Sequence, residues 1–125
     1  MKDERKRKGK MGQDKAQKYL EEKGLVLVDQ NFTIWGGELD LIFMQEVGQE
    51  NEKEVIFVEV KTRTNNLVDV AELLSYSQLK TLLRTAEAWL MKNALYDIDW
   101  RIDLVGVLSH KGGKYEIEWI QDIVV

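Results

Sequence analysis

Apolar residues recur along this chain with two different periods. Between Ser75 and Asn93, Leu79, Leu82, Leu83, Ala86, Trp89 and Leu90 fall three and four residues apart, the spacing of a helix with one buried stripe. Ser75-Tyr76-Ser77-Gln78 has the form of a capping box and predicts a helix start at Ser75, with Ala71 as the alternative. A shorter stripe of Ala16, Tyr19 and Leu20 predicts a first helix from about Met11 to Lys23, closed by Gly24 at a left-handed cap. Gln13 lies on that inward stripe, near the helix start. The remaining apolar runs are strand-sized: 25–35, 37–45, 54–62, 100–108, and 115–120 after the turn His110-Lys111-Gly112-Gly113. Val55-Ile56-Phe57-Val58 is apolar on both faces, as a central strand covered from both sides requires. The element order is α-β-β-β-α-β-β. Adjacent strands make antiparallel pairs, and the second helix can return the chain to a parallel neighbour of the central strand. The expected fold is α/β, a mixed sheet flanked by helices.

Two charges interrupt this pattern. Residues two apart on a strand share a face, which groups Val55, Phe57, Glu59 and Lys61, and likewise Glu38, Asp40, Ile42 and Met44. Pairing Ile42 with Phe57 and Met44 with Val55 matches apolar to apolar. It also sets Asp40 opposite Glu59, and Glu38 opposite Lys61. Like charges directly opposite destabilise a sheet, so something positive is expected between Asp40 and Glu59. A divalent cation that prefers oxygen ligands, Mg²⁺ or Mn²⁺, is the natural occupant. The simpler alternative is a same-face ion pair between Glu59 and Lys61.

The 125 residues are enough for one cored domain, expected over 11–125, with residues 1–10 as a basic, disordered arm. That arm holds six Lys and Arg against two carboxylates, while the whole chain carries a net charge of −4, so the body is acidic. The arm could reach a polyanion or merely be solvated. No apolar run is long enough to span a membrane, and no apolar segment follows the basic start as it would in a secretory signal. With no cysteine, disulfides and thiolate chemistry are excluded, which fits a cytoplasmic location.

His110 is the one histidine, and it falls in a predicted surface turn, so triad chemistry has no support. No phosphate-binding glycine loop is present either. Carboxylates and a lysine remain, and metal-assisted phosphodiester hydrolysis needs little else. Lys61 could orient the attacking water or stabilise developing charge. Arg63 is placed to contact a flanking phosphate, or to end its strand in solvent. Gln78 and Lys80 sit near the start of the second helix, where a phosphate could bind, although capping already accounts for Gln78. Trp35 is expected to pack in the core, with stacking on a base as the alternative. Glu38 is expected to pair with Lys61.

Several segments carry a family resemblance over most of residues 12–108. They are Gly12-Gln13-Asp14, Gly24, Asn31, Gly37-Glu38-Leu39-Asp40-Leu41-Ile42, Phe57-Val58-Glu59-Val60-Lys61-Thr62-Arg63, Lys80 and Ile102-Asp103-Leu104-Val105. Together they resemble the YraN family of bacterial proteins, and more distantly archaeal Holliday-junction resolvases within the restriction-endonuclease-like superfamily. The resemblance implies a restriction-endonuclease-like fold in which Asp40, Glu59 and the Val60 carbonyl bind Mg²⁺ or Mn²⁺ and Lys61 is catalytic. It implies DNA cleavage, perhaps at branched or structured sites, and a homodimer. Where resolvases have a helix-one glutamate, this chain has Gln13, which removes a negative charge from the metal site. Two alternatives follow: a nucleic-acid-binding module with this fold but no turnover, and a protein-interaction module.

Overall fold

A computed structural model describes residues 2–65 and 67–124. Helix α1 spans Lys2–Glu22, followed by strands β1 (Val26–Ile34), β2 (Gly37–Val47) and β3 (Glu52–Arg63). A short 3-10 turn, Val70–Leu73, leads to helix α2 (Tyr76–Lys92), then β4 (Asp99–Ser109) and β5 (Tyr115–Ile120). The five strands lie in sequence order, antiparallel except for β3 and β4, which run parallel across the α2 connection. This is the α-β-β-β-α-β-β mixed sheet that the hydrophobic pattern predicts.

Each helix covers one face. Ala16 and Leu20 of α1 pack with Leu25 on Leu41, Phe43, Ile56, Val58, Val105 and Val107. Leu82, Ala86, Trp89 and Leu90 of α2 pack on Leu39, Ile42, Val55, Phe57 and Ile102. Val55 through Val58 are wholly buried, because alternate residues of β3 feed the two cores.

Local chemistry sets the helix ends. Ser75 Oγ accepts from the Gln78 N–H while the Gln78 side chain accepts from the Ser75 N–H, so the capping box forms. Gly24, at φ +95°, closes α1 with Gly24 N–H donating to the Glu21 carbonyl and Leu25 N–H to that of Leu20. Leu20 and Leu25 are both buried, the apolar contact that accompanies this cap.

The start of α1 differs from expectation. The basic segment is helical from Lys2 rather than disordered. Lys, Arg, Glu and Met are strong helix formers, and no proline interrupts them. Once the packed turns from Gly12 onward exist, each further residue extends a helix already nucleated. No helix among the described residues is long and apolar enough to cross a membrane.

Candidate metal centre

The expected hairpin register is the one observed: Ile42 pairs with Phe57 and Met44 with Val55. Regular pairing of β2 with β3 ends at Leu41–Val58, one residue short of the two acids. There the strands part. Asp40 bridges the opening with its side chain, Oδ2 accepting from the Val60 N–H at 2.8 Å. Beside this point, in β1, Asn31 adopts φ +50°. β2 also rotates here: Leu41 and Phe43 feed the α1 core, yet Leu39, two residues earlier, feeds the α2 core.

That rotation corrects one detail of the face assignment. Asp40 opens into a cleft of about 400 Å³ on the α1 side, lined by Gly9, Gln13, Val60, Lys61 and Thr62. Glu59 and Glu38 open into a second, of about 520 Å³, against Ser77, Gln78 and Thr81 of α2. The two acids nevertheless meet at the mouth between the clefts, with the Glu59 carboxyl within hydrogen-bonding reach of Asp40. Burial, then the hydrogen bond to Asp40 and its negative charge, push the Glu59 pKa up to about 9, with Lys61 acting in the opposite sense. At neutral pH the pair therefore holds a proton where a cation would otherwise neutralise it. Among the described residues no third His, Cys, Asp or Glu joins them in a metal-sized group.

Gln13 arrives from α1 as its place on the inward stripe predicts. Its Nε2 donates to Asn31 Oδ1 at 3.0 Å and to the Asp40 carbonyl at 3.3 Å. α1 can come this close because residue 12 is glycine: a Cβ there would stand 2.1 Å from Thr62 Oγ1. Asn31 is the site residue that periodicity misses. Its local signal is weak, since only an asparagine's tolerance of left-handed backbone marks it.

Other candidates divide. Glu38 is exposed and forms no ion pair with Lys61 among the described residues, because Glu38 lines the α2-side cleft and Lys61 the α1-side one. Arg63 lines the Asp40 cleft rather than ending its strand in solvent. Its side chain is 16% exposed, donates to the Val68 carbonyl and lies 3.7 Å from Glu118 Oε2. Gln78 lines the α2-side cleft but is committed to its cap, and Lys80, exposed over the Tyr76 ring, lines neither cleft. Trp35 is not in the core at all: it is 93% exposed. His110 is exposed beside Glu116, as a surface turn predicts.

Comparison with known proteins gives the family of the chain. The profile described as "Uncharacterised protein family UPF0102" matches residues 12–107. The chain belongs to the UPF0102 family. A UPF0102 protein of Vibrio campbellii is 38% identical over 112 residues, 87% of this chain and 84% of its own length. Another, from Aliivibrio fischeri, is 38% identical over 121 residues, 94% of this chain and 91% of its own. One from Pelobacter propionicus is 31% identical over 113 residues, covering 90% and 78%. The UPF0102 match opens one residue before Gln13 and closes inside β4. It thus encloses every residue of the candidate centre, and leaves out the basic start of α1 and all of β5.

Proposed function

We propose that this UPF0102 protein is a divalent-metal-dependent endonuclease that hydrolyses phosphodiester bonds in DNA at branched or otherwise structured sites. One observation carries the reading: two carboxylates meet at a strand mouth, where among the described residues Asp40 accepts from the Val60 N–H and Lys61 is the cation acting on Glu59. The donor set suits a hard cation. Asp40, Glu59 and the Val60 carbonyl would hold Mg²⁺ or Mn²⁺, with the Gln13 amide beside them. Such an ion neutralises charge at the scissile phosphate and lowers the pKa of a water.

The chain's own residues do the rest. Glu59 would release its proton to solvent when such an ion binds, leaving a carboxylate as ligand. The hydrogen bond from Val60 fixes the Asp40 rotamer. Gln13 ties α1 to the Asp40 backbone and to Asn31, holding the cleft wall. Lys61, in the same cleft as Asp40, orients the attacking water or meets charge on the phosphate. The basic first half of α1 supports a polyanionic substrate. Lys6, Arg7 and Lys10 are exposed, and Gly9 on the same helix lines the Asp40 cleft. A homodimer would suit a two-fold substrate.

A second reading, binding without cutting, is favoured by Gln13 itself. It supplies no charge, and its amide nitrogen is spent on Asn31 and the Asp40 carbonyl. Incubation of labelled duplex, flap and junction DNA with Mn²⁺ separates the two. Nicking is expected, with Asp40→Asn, Glu59→Gln and Lys61→Ala each reducing it by about 10²-fold or more. Salt-sensitive binding without nicking would select the second reading, and neither binding nor nicking would remove both.

A further inference from the structure

We propose that Trp35 is a stacking platform for an unpaired base, so that the site takes DNA carrying a single-stranded segment next to the bond to be cut. The proposal rests on the nucleic-acid reading of the site. A tryptophan left 93% exposed forgoes the burial that makes this side chain valuable in a fold, so its place at the β1–β2 turn needs another reason.

The turn is firmly supported. The carbonyl of Gly36 accepts from Arg84 Nη2 at 3.3 Å. Gly37 lies so close to α2 that a Cβ would stand 2.3 Å from Thr85 Oγ1. The indole thus projects from a backbone held against α2, with little backbone ordering left to be done on binding. Gly36, Gly37 and Glu38, the residues immediately after it, line the same cleft as Glu59. A base on the indole would therefore lead its own backbone toward the mouth where Asp40 and Glu59 meet. The cleft volume, about 520 Å³, is that of an ordinary small-ligand pocket, room enough for a nucleotide.

The surroundings favour a nucleic acid over a protein. Aromatic anchors of protein interfaces sit within a rim that excludes water. Here the chain after the indole is glycine backbone and the exposed Glu38, and the exposed Arg84 reaches the Gly36 carbonyl. An indole with a cation nearby is the combination that binds single strands, where every base offers a free face. Continuous duplex hides those faces and presents phosphates.

Anisotropy in EDTA at low salt tests this with three labelled DNAs: a blunt duplex, the same duplex with a single-stranded arm, and the free arm. Trp35→Ala is expected to weaken binding of the armed duplex and the free arm by about tenfold. Blunt-duplex binding should be unchanged, and Trp35→Phe should retain most of the affinity. Equal affinity of wild type and Trp35→Ala for the armed duplex overturns the proposal while leaving the nuclease reading intact. So does an equal loss on all three DNAs. Unchanged DNA binding together with lost self-association in sedimentation would assign the indole to a protein contact. If wild type binds none of the three, the nucleic-acid reading itself fails.

Discussion

Asp103 and the Asp40–Glu59 pair are both carboxylate sites on the central strands, and they are managed in opposite ways. Asp103 is wholly buried. Its Oδ1 accepts from Arg101 Nε at 2.9 Å and the Asp122 N–H at 2.8 Å, and its Oδ2 from Trp119 Nε1 at 2.8 Å. Arg101 also holds Glu54 at 2.9 Å. There one permanent cation is shared by two carboxylates, and the acceptors of Asp103 are filled. Among the described residues no arginine pairs with the acids at the strand mouth, and a proton on Glu59, with Lys61 nearby, does the balancing. The contrast distinguishes an acid that holds a sheet together from a pair that gains a ligand. A fixed guanidinium closes the first, whereas a removable proton leaves the second open to exchange.

Breaking the closed cluster should give the largest change in stability. Asp103→Asn is expected to lower unfolding free energy by about 3 kcal/mol in urea titration, because Arg101 and Trp119 lose their shared acceptor. Nicking per folded molecule should be unaffected.

The open pair should respond to pH. Below about pH 9, Mn²⁺ must displace the Glu59 proton, so its affinity should climb toward tenfold per pH unit and level off near 9. Calorimetry in buffers of different ionisation enthalpy should find about one proton released per Mn²⁺ at pH 7, and none in Glu59→Gln. Gln13→Glu should tighten Mn²⁺ binding by roughly tenfold through the added charge at close range.

The smallest effect is on the metal-free fold. Unfolded, Glu59 ionises near 4.5; folded, it holds its proton to about 9. The unfolded chain thus binds fewer protons across that window, and stability falls as pH rises from 4.5 toward 9. Glu59→Gln should flatten this decline, seen as a weaker dependence of the melting temperature on pH between about 5 and 9. A steeper decline would contradict the assigned proton.

What could be read from the sequence was what local rules determine. The α2 stripe and its cap, the doubly buried Val55–Val58 run and the Ile42–Phe57 register each follow from periodicity or from residues within one turn. Such rules fail where the partner is remote. Nothing near Asp103 announces Trp119 or Asp122. Arg63, at the end of an apolar strand, resembles a solvent-facing cation until β5 brings Glu118 to it. Residue type alone puts Trp35 in the core, and only the two-residue turn between β1 and β2 leaves it exposed. Alternation along β2 placed Glu38 and Asp40 on one face. It could not anticipate the rotation beside Asn31 that separates them.

The simple left-to-right strand order has a kinetic consequence. Both acids belong to a ribbon whose strands are joined by four residues, Gly48–Asn51, so they can be brought together by a short loop closure. Joining β4 to β3 requires the whole of α2 to be spanned first. Any opening that peels α2 and the last two strands away would leave the acid pair still facing each other across its ribbon.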